Sequence, residues 1–153
     1  MQQKSIPFLL MRGGSSRGPF FNRSDLPADL DELSDVLISV TGSGHPLNID
    51  GVGGGNAVTT KVAMLSQSED NWADIDYFFA QVSVENQLVD YKPTCGNMLT
   101  AVGPAAIEMG LVPVMNSVTE IKIRAVNTGA KIIARIQTPG GHCLLYTSDA
   151  ADD

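Results

Sequence analysis

Basic residues are scarce in this chain: 10 Lys and Arg stand against 17 Asp and Glu, a net charge of −7. They are also scattered, so no cluster can neutralise a phosphate backbone or an anionic membrane surface, which argues against nucleic acid or membrane as a partner. No apolar run approaches the roughly 20 residues of a membrane span. The opening Met1-Gln-Gln-Lys4 leads into a short strand-like stretch rather than the apolar core of a secretion signal, which points to the cytoplasm. Cysteine is limited to Cys95 and Cys143, without Cys-x-x-Cys spacing, and His45 has no second ligand nearby. A disulfide framework and a metal site are therefore not expected. Apolar residues are plentiful, at 43% of 153, enough for the core of one globular domain.

Taken in order, Ser5 to Met11 is apolar enough for a buried strand, and Gly18 to Phe21 suits a hairpin partner across Arg12-Gly-Gly-Ser-Ser-Arg17. Leu30, Leu33, Leu37 and Val40 recur at helical spacing opposite acidic residues, which predicts a surface helix over 29–41. Thr41 to Pro46 breaks it, and a glycine-rich loop, Asp50 to Thr60, feeds a strand from Lys61 to Ser66. Residues 74–84 and 87–90 read as a hairpin. Ile121, Ile123 and Ala125 alternate, as do Ile132, Ala134 and Ile136, on either side of the turn Asn127-Thr-Gly129.

The chain is organised around Pro93-Thr94-Cys95-Gly96-Asn97-Met98 and the small-residue run to Met109. Pro93 closes an extended segment, Thr94 can cap, and Gly110 stands where a helix commonly stops. Glu108 is the only charge of this predicted helix, and Ala101, Gly103, Ala105 and Ala106 suit enclosure on most sides. Pro104 predicts a kink, since it removes a donor and crowds the carbonyl of Thr100. The expected fold is α+β, a mixed, mostly antiparallel sheet wrapped around a central helix.

Cys95 then lies at a helix start, where unpaired amides favour a carboxylate and lower a thiol pKa; the alternative is a buried structural cysteine. Gly13-Gly14 and Gly53-Gly-Gly55 let backbone amides approach an anion, and Arg12, Ser15, Ser16, Arg17, Thr59 and Thr60 could add donors; tight solvated turns are the plainer reading. A phosphate-binding loop is excluded by spacing, because Lys61 follows Gly55 by several residues and begins a strand. Lys61 is either solvated at the strand mouth or partly buried as an acid–base group, for which desolvation would have to lower its pKa by roughly 3 units.

Met11-Arg-Gly-Gly-Ser-Ser-Arg-Gly18, Gly51-Val-Gly-Gly-Gly-Asn-Ala-Val-Thr-Thr-Lys61 and Cys95-Gly-Asn-Met98 with Val102-Gly-Pro104 resemble the methylaconitate isomerase and 4-oxalomesaconate tautomerase family, which has the diaminopimelate-epimerase-like fold. The resemblance runs from about residue 5 to 140. It implies two similar domains with the active site between them, of which residues 1–142 would be the first and a second would be missing. It implies Lys61 and Cys95 as catalytic residues. Arg12, Ser15, Ser16, Arg17, Gly54, Gly55, Thr60, Gly96, Asn97 and Met98 would contact substrate carboxylates. Ser15 and Arg17 stand where relatives often carry Thr and Lys, a change that keeps donors.

The implied reaction is a cofactor-free allylic 1,3-proton shift on an unsaturated di- or tricarboxylate. The alternatives are half of a two-thiol amino-acid epimerase and a non-catalytic carboxylate-binding domain. A small polycarboxylate and the second domain are the expected partners, and an exposed apolar face would invite homo-oligomers.

The stretch Cys143 to Asp153 resembles the translation of a sequencing-library adapter, so it is expected to be a non-native tail without evolved packing partners. Deleting residues 143–153 should shift stability by less than about 1 kcal/mol, read from the denaturant midpoint; a loss of several kcal/mol would make the tail part of the fold.

Overall fold

The computed structural model describes residues 2–144. Of the tail, residues 145–153 lie outside the described residues. Leu144 donates its amide to the Gln137 carbonyl at 2.9 Å. Cys143 is half-buried, and that burial, with the Glu108 charge beside it, pushes its thiol pKa up.

Seven strands form one sheet: β1 (Leu9–Gly13), β2 (Ser16–Asn22), β3 (Lys61–Gln67), β4 (Ile75–Val82), β5 (Val89–Asp90), β6 (Val118–Ala125) and β7 (Ala130–Gln137). The order is β1-β2-β3-β4-β6-β7, with β5 also on β4. The β1–β2, β3–β4, β4–β5 and β6–β7 pairings are antiparallel, while β2–β3 and β4–β6 are parallel. The sheet is thus mixed and mostly antiparallel, in an α+β fold.

The first hairpin is tighter than its sequence suggests. Gly13 pairs with Ser16, which leaves Gly14 and Ser15 as the turn. Gly14 takes φ 55° there, as the first residue of a two-residue type II′ hairpin turn requires. The preceding strand begins only at Leu9, because residues 2–8 pair with nothing in the sheet.

Each face of the sheet carries its own core. On one face, helix α1 (Leu30–Thr41) buries Leu33 and Leu37 against Phe21, Val62, Met64, Ala80 and Val82. Its ends follow from sequence: the Asp29 carboxylate accepts the Glu32 amide at 3.0 Å, and Gly42 closes the helix at φ 78° with its N–H on Ile38. Leu30, in the first turn, remains 49% exposed, so the apolar stripe engages the sheet only from Leu33 onward.

The other face, built by Phe20, Ala63, Leu65, Ile75, Tyr77, Phe79, Ile121 and Ile123, meets Met98, Ala101, Val102, Ala105 and Ala106. The predicted single helix here is two: α2 (Gly96–Leu99) and α3 (Val102–Glu108). The break falls one turn before Pro104 because that residue has no N–H for the Thr100 carbonyl and its ring crowds it. Thr100 and Ala101 instead donate to the carbonyls three residues back, Asn97 and Met98, at 3.2 and 3.1 Å. Pro104 itself sits in the first turn of α3, where a missing donor costs little. Small residues bring α3 close to the sheet: a Cβ on Gly103 would lie 2.7 Å from Ile136 Cδ1. Enclosure is one-sided, since Gly96, Asn97, Thr100 and Glu108 are exposed. No helix of the described residues is long and apolar enough to cross a membrane.

Polar side chains join the elements where the ladders stop. Asn127 accepts the Phe79 amide at 2.8 Å and donates to the Phe79 and Tyr91 carbonyls, which takes over from β6 just past the last pair, Tyr77 with Ala125. Asp76 receives two bonds from Arg124, at 2.9 and 2.7 Å, and one from Ser68. Burial alone would raise the Asp76 pKa, but the hydrogen bonds from Arg124 and Ser68 and the Arg124 charge outweigh it. The carboxyl ends below the ordinary 3.8. A carboxylate whose folded pKa is depressed stabilises the fold above the unfolded value and loses that contribution as pH falls through the folded one. Arg124→Ala is therefore expected to lower the unfolding temperature at pH 7. Its difference from the parent should shrink as pH falls through the lowered folded pKa of Asp76 and vanish once the carboxyl is protonated in both.

Candidate active site

Cys95 caps α2: its backbone is extended, φ −128° and ψ 113°, and Sγ accepts the Met98 amide at 3.5 Å. From that extended cap the Gly96-Asn97 pair lets the chain turn at once into the helix. Because α2 is one turn long, its amides act as local donors rather than as the end of a long dipole. Among the described residues, those of Gly96 and Asn97 find no acceptor.

The β1–β2 turn docks on this cap. A Cβ on Gly13 would sit 2.0 Å from the Asn97 carbonyl oxygen, so only glycine permits the approach. Asn97 Nδ2 donates to Ser15 Oγ at 2.9 Å, and Cys95 Sγ lies 3.8 Å from the hydroxyl of Ser16, which is 1% exposed. Beneath them Tyr77 donates its phenol to the Cys95 carbonyl at 3.2 Å. Burial, and secondarily charge on Cys95, push the Tyr77 pKa far above its usual value, so the phenol stays a neutral donor.

Lys61 opens β3 on the same face of the sheet. Lys61, Ala63 and Leu65 alternate toward the core that Cys95 packs against, as the two-residue strand period requires. Its amine donates to Gln81 Oε1 at 2.7 Å and stands 5.5 Å above the centroid of the Phe79 ring. Between Lys61 and α2 stands Gly18, whose absent side chain admits both the Lys61 carbonyl oxygen and the Met98 methyl. Among the described residues no hydrogen bond joins Cys95 directly to Lys61 or to the Gly53–Gly55 loop: Cys95 Sγ lies against Ser16 and the Lys61 amine bonds Gln81.

The glycine-rich loop joins through intermediaries. Arg17 donates its amide to Val58 at 2.8 Å and Nη2 to Val52 at 3.4 Å, and its guanidinium lies against Gly54, which takes φ 74°. Arg17 Nε is buried with no acceptor among the described residues. Several expected substrate donors are spent internally. The Gly55 amide goes to Asn48 Oδ1 at 2.8 Å, the Thr60 hydroxyl to the Val82 carbonyl at 2.8 Å, and the Met98 amide to Cys95 Sγ. Thr60 is wholly buried as well. These groups shape the site and have no free donor to offer. Arg12, by contrast, is exposed, its Nη1 only 3.5 Å from the Ser15 carbonyl. His45 is a surface loop residue that accepts the Leu47 amide.

Three organising residues escape a sequence reading. Asn48, at φ 50° and 1% exposed, places Nδ2 3.0 Å from each of the Gly42, His45 and Val84 carbonyls and so closes the loop. Tyr77 and Gln81 belong to the inward series Ile75, Tyr77, Phe79, Gln81, and a polar residue ending such a series is the signal that could have found Gln81. An open cleft of about 480 Å³ lies beside it, lined by Ala57 and residues 82–86. Among the described residues, no group of three or more His, Cys, Asp and Glu converges.

A family model described as PrpF protein matches residues 3–151. The (4E)-oxalomesaconate Delta-isomerase of Novosphingobium sp. (strain KA1) is 46% identical over 97% of this chain and 42% of its own length. The 4-oxalomesaconate tautomerase of Pseudomonas putida is 44% identical over 100% of this chain and 42% of its own. The chain therefore spans about two fifths of these relatives. The crystal structure of methylitaconate-delta-isomerase superposes with a TM-score of 0.87 at 38% identity, covering 90% of this chain and 62% of that one. A hydroxyproline epimerase from Agrobacterium vitis, at 17% identity, TM-score 0.55 and coverage of 89% and 38%, shares the fold alone.

The hairpin-to-cap contact gives a test. Gly13→Ala should destabilise the protein by about 1–3 kcal/mol, the usual cost of overpacking, and should raise the alkylation rate of Cys95 as the cap loosens. A thermal midpoint and iodoacetamide kinetics equal to those of the parent would contradict the packing described.

Proposed function

The chain belongs to the PrpF protein family, and from that premise we propose that it is the first domain of an isomerase that moves a proton across an allylic system in an unsaturated di- or tricarboxylate of the oxalomesaconate or methylaconitate type. The observation that carries this reading is the arrangement of Lys61 and Cys95. Both stand on one face of the sheet, each held by a neutral partner, with the hydroxyl of Ser15 and the free amides of Gly96 and Asn97 beside Cys95.

The reaction needs one group to remove the proton that is acidic through conjugation with a carbonyl or carboxylate. A second group returns a proton two carbons away or on oxygen. Electrons move from the broken C–H bond into the conjugated system, giving an extended enolate, and no oxidant or electron sink beyond the substrate's own carboxylates is required. Lys61 and Cys95 are the two proton-transfer groups in this proposal. Arg12 and Arg17, with Ser15, Ser16 and the amides of Gly96 and Asn97, would hold the carboxylates and the charge as it spreads, a stabilisation worth several kcal/mol where water is excluded.

Water exclusion is what these residues lack. Asn97, Gly96 and Arg12 are exposed, and the cleft beside Gln81 is open. A second domain is assigned the opposite wall. Isolated, this domain is expected to bind a small polycarboxylate weakly and not to turn it over, because the reacting groups stay hydrated.

The test is an ultraviolet assay of oxalomesaconate and methylaconitate isomerisation with residues 1–142, with the complete protein, and with the complete protein carrying Lys61→Ala or Cys95→Ala. Each substitution should lower kcat at least ~100-fold, the upper scale of a lost acid–base group being about 10⁴. Full activity in both variants would sink the assigned roles, and turnover by residues 1–142 near that of the complete protein would sink the two-domain account.

A further inference from the structure

We propose that Gln81 is a positioning residue for Lys61, a neutral clamp that fixes the amine in the site and ties it to the glycine-rich loop; the inference rests on the acid–base reading of Lys61 above. The two residues are register partners on β3 and β4, so their side chains leave the same face at adjacent positions. Phe79, two residues before Gln81 on that face, supplies the ring above which the amine stands.

The orientation of the Gln81 amide is fixed by what surrounds it. Nε2 lies 3.1 Å from the Ala57 carbonyl, 3.3 Å from that of Val82, 3.5 Å from that of Thr60, and 3.2 Å from the Thr60 hydroxyl. That hydroxyl already donates to Val82, so it can only accept from Gln81. A carbonyl oxygen in the place of Nε2 would face three other carbonyl oxygens, so the amide cannot flip, and Oε1 must point at Lys61. The amine is therefore held at 2.7 Å by an acceptor that is itself anchored to the loop and strand on its other side.

A neutral acceptor suits a group that must change protonation state, since a carboxylate in that place would favour the charged amine. One stands nearby. Asp90 on β5 is the register partner of Gln81, giving a row Lys61–Gln81–Asp90 in which the amide occupies the middle. Asp90 Oδ1 accepts the Lys92 amide at 2.9 Å instead. The other titratable or charged groups on the elements packed around Lys61 are Arg17 on β2, Tyr77 and Asp76 on β4, and Cys95 at the α2 cap; Asp76 alternates to the other face from Tyr77 and is held by Arg124.

The experiment uses the complete protein. Gln81→Met removes acceptor and donor at similar volume, and Gln81→Glu keeps an acceptor but adds a charge. Gln81→Met should lower kcat about 10- to 100-fold, the scale of a misplaced reacting group, with KM within about threefold. Gln81→Glu should move the limb of the pH–rate profile that Lys61 governs toward higher pH by about one unit or more. Independently of turnover, reductive methylation of Lys61, followed by mass spectrometry, should be several-fold faster in Gln81→Met, because the amine is released. An unchanged methylation rate in a folded Gln81→Met protein would overturn the clamp. So would an equal loss of kcat in both variants with an unshifted profile and a lowered unfolding temperature, which would make Gln81 merely structural. If Gln81→Met does not fold, the profile of Gln81→Glu decides alone. Full activity of Lys61→Ala would instead overturn the acid–base reading while the methylation result still judges the contact.

Discussion

Two close backbone approaches, both at glycine, hold the candidate site together. Gly13 meets the Asn97 carbonyl and Gly18 meets the Lys61 carbonyl, at distances that leave no room for a Cβ. The first seats the β1–β2 turn on the α2 cap and brings Ser16 to Cys95; the second lays β2 along the start of β3 and leaves a gap that Met98 fills. The hairpin is thereby a rigid spacer between the thiol and the amine. Close packing of this kind is transmitted rather than absorbed, since protein interiors compress little.

Polar side chains do most of the remaining positioning, and they do it with backbone partners. Asn48 closes the glycine-rich loop, Gln81 bridges that loop to Lys61, Thr60 ties its end to Val82, and Asn127 takes over where strand pairing stops. A loop of consecutive glycines has little side-chain surface with which to hold its shape, and its ordering costs more entropy than that of other residues. Side chains that bond the loop's Gly55 amide and Ala57 carbonyl and tie its ends to neighbouring segments supply the definition that packing cannot. Among the described residues, the one bidentate ion pair, Asp76 with Arg124, joins β6 to the beginning of β4, at the opposite end of that strand from Gln81.

The two faces of the sheet are unequal in a way that matters for the site. The α1 face is covered by three turns of amphipathic helix, whereas the opposite face is covered by two short helices with a gap in the ladder at Thr100 and Ala101. The end of α2 that carries Cys95 is thus exposed at Gly96 and Asn97 while its other side is anchored by Met98 and Tyr77.

Local features were legible in the sequence because they depend on near neighbours. The β6–β7 hairpin, α1 with its Asp29 and Gly42 ends, the strand beginning at Lys61 and the Gly110 stop all follow from periodicity and punctuation, as does the disturbance that Pro104 causes. The motifs at 11–18, 51–61 and 95–98 pointed to the family before any contact was known. Tertiary structure alone decided what the motifs hold on to. The parallel joins β2–β3 and β4–β6 fix which loops share an edge of the sheet, and no local pattern encodes a pairing across so many intervening residues. Whether a donor such as Gly55, Thr60 or Met98 is free or spent depends on acceptors that arrive from Asn48, Val82 and Cys95, brought near only by the folded chain. The same holds for Gln81, an ordinary strand residue by sequence, which contacts Lys61 because register across β3 and β4 puts the two side by side.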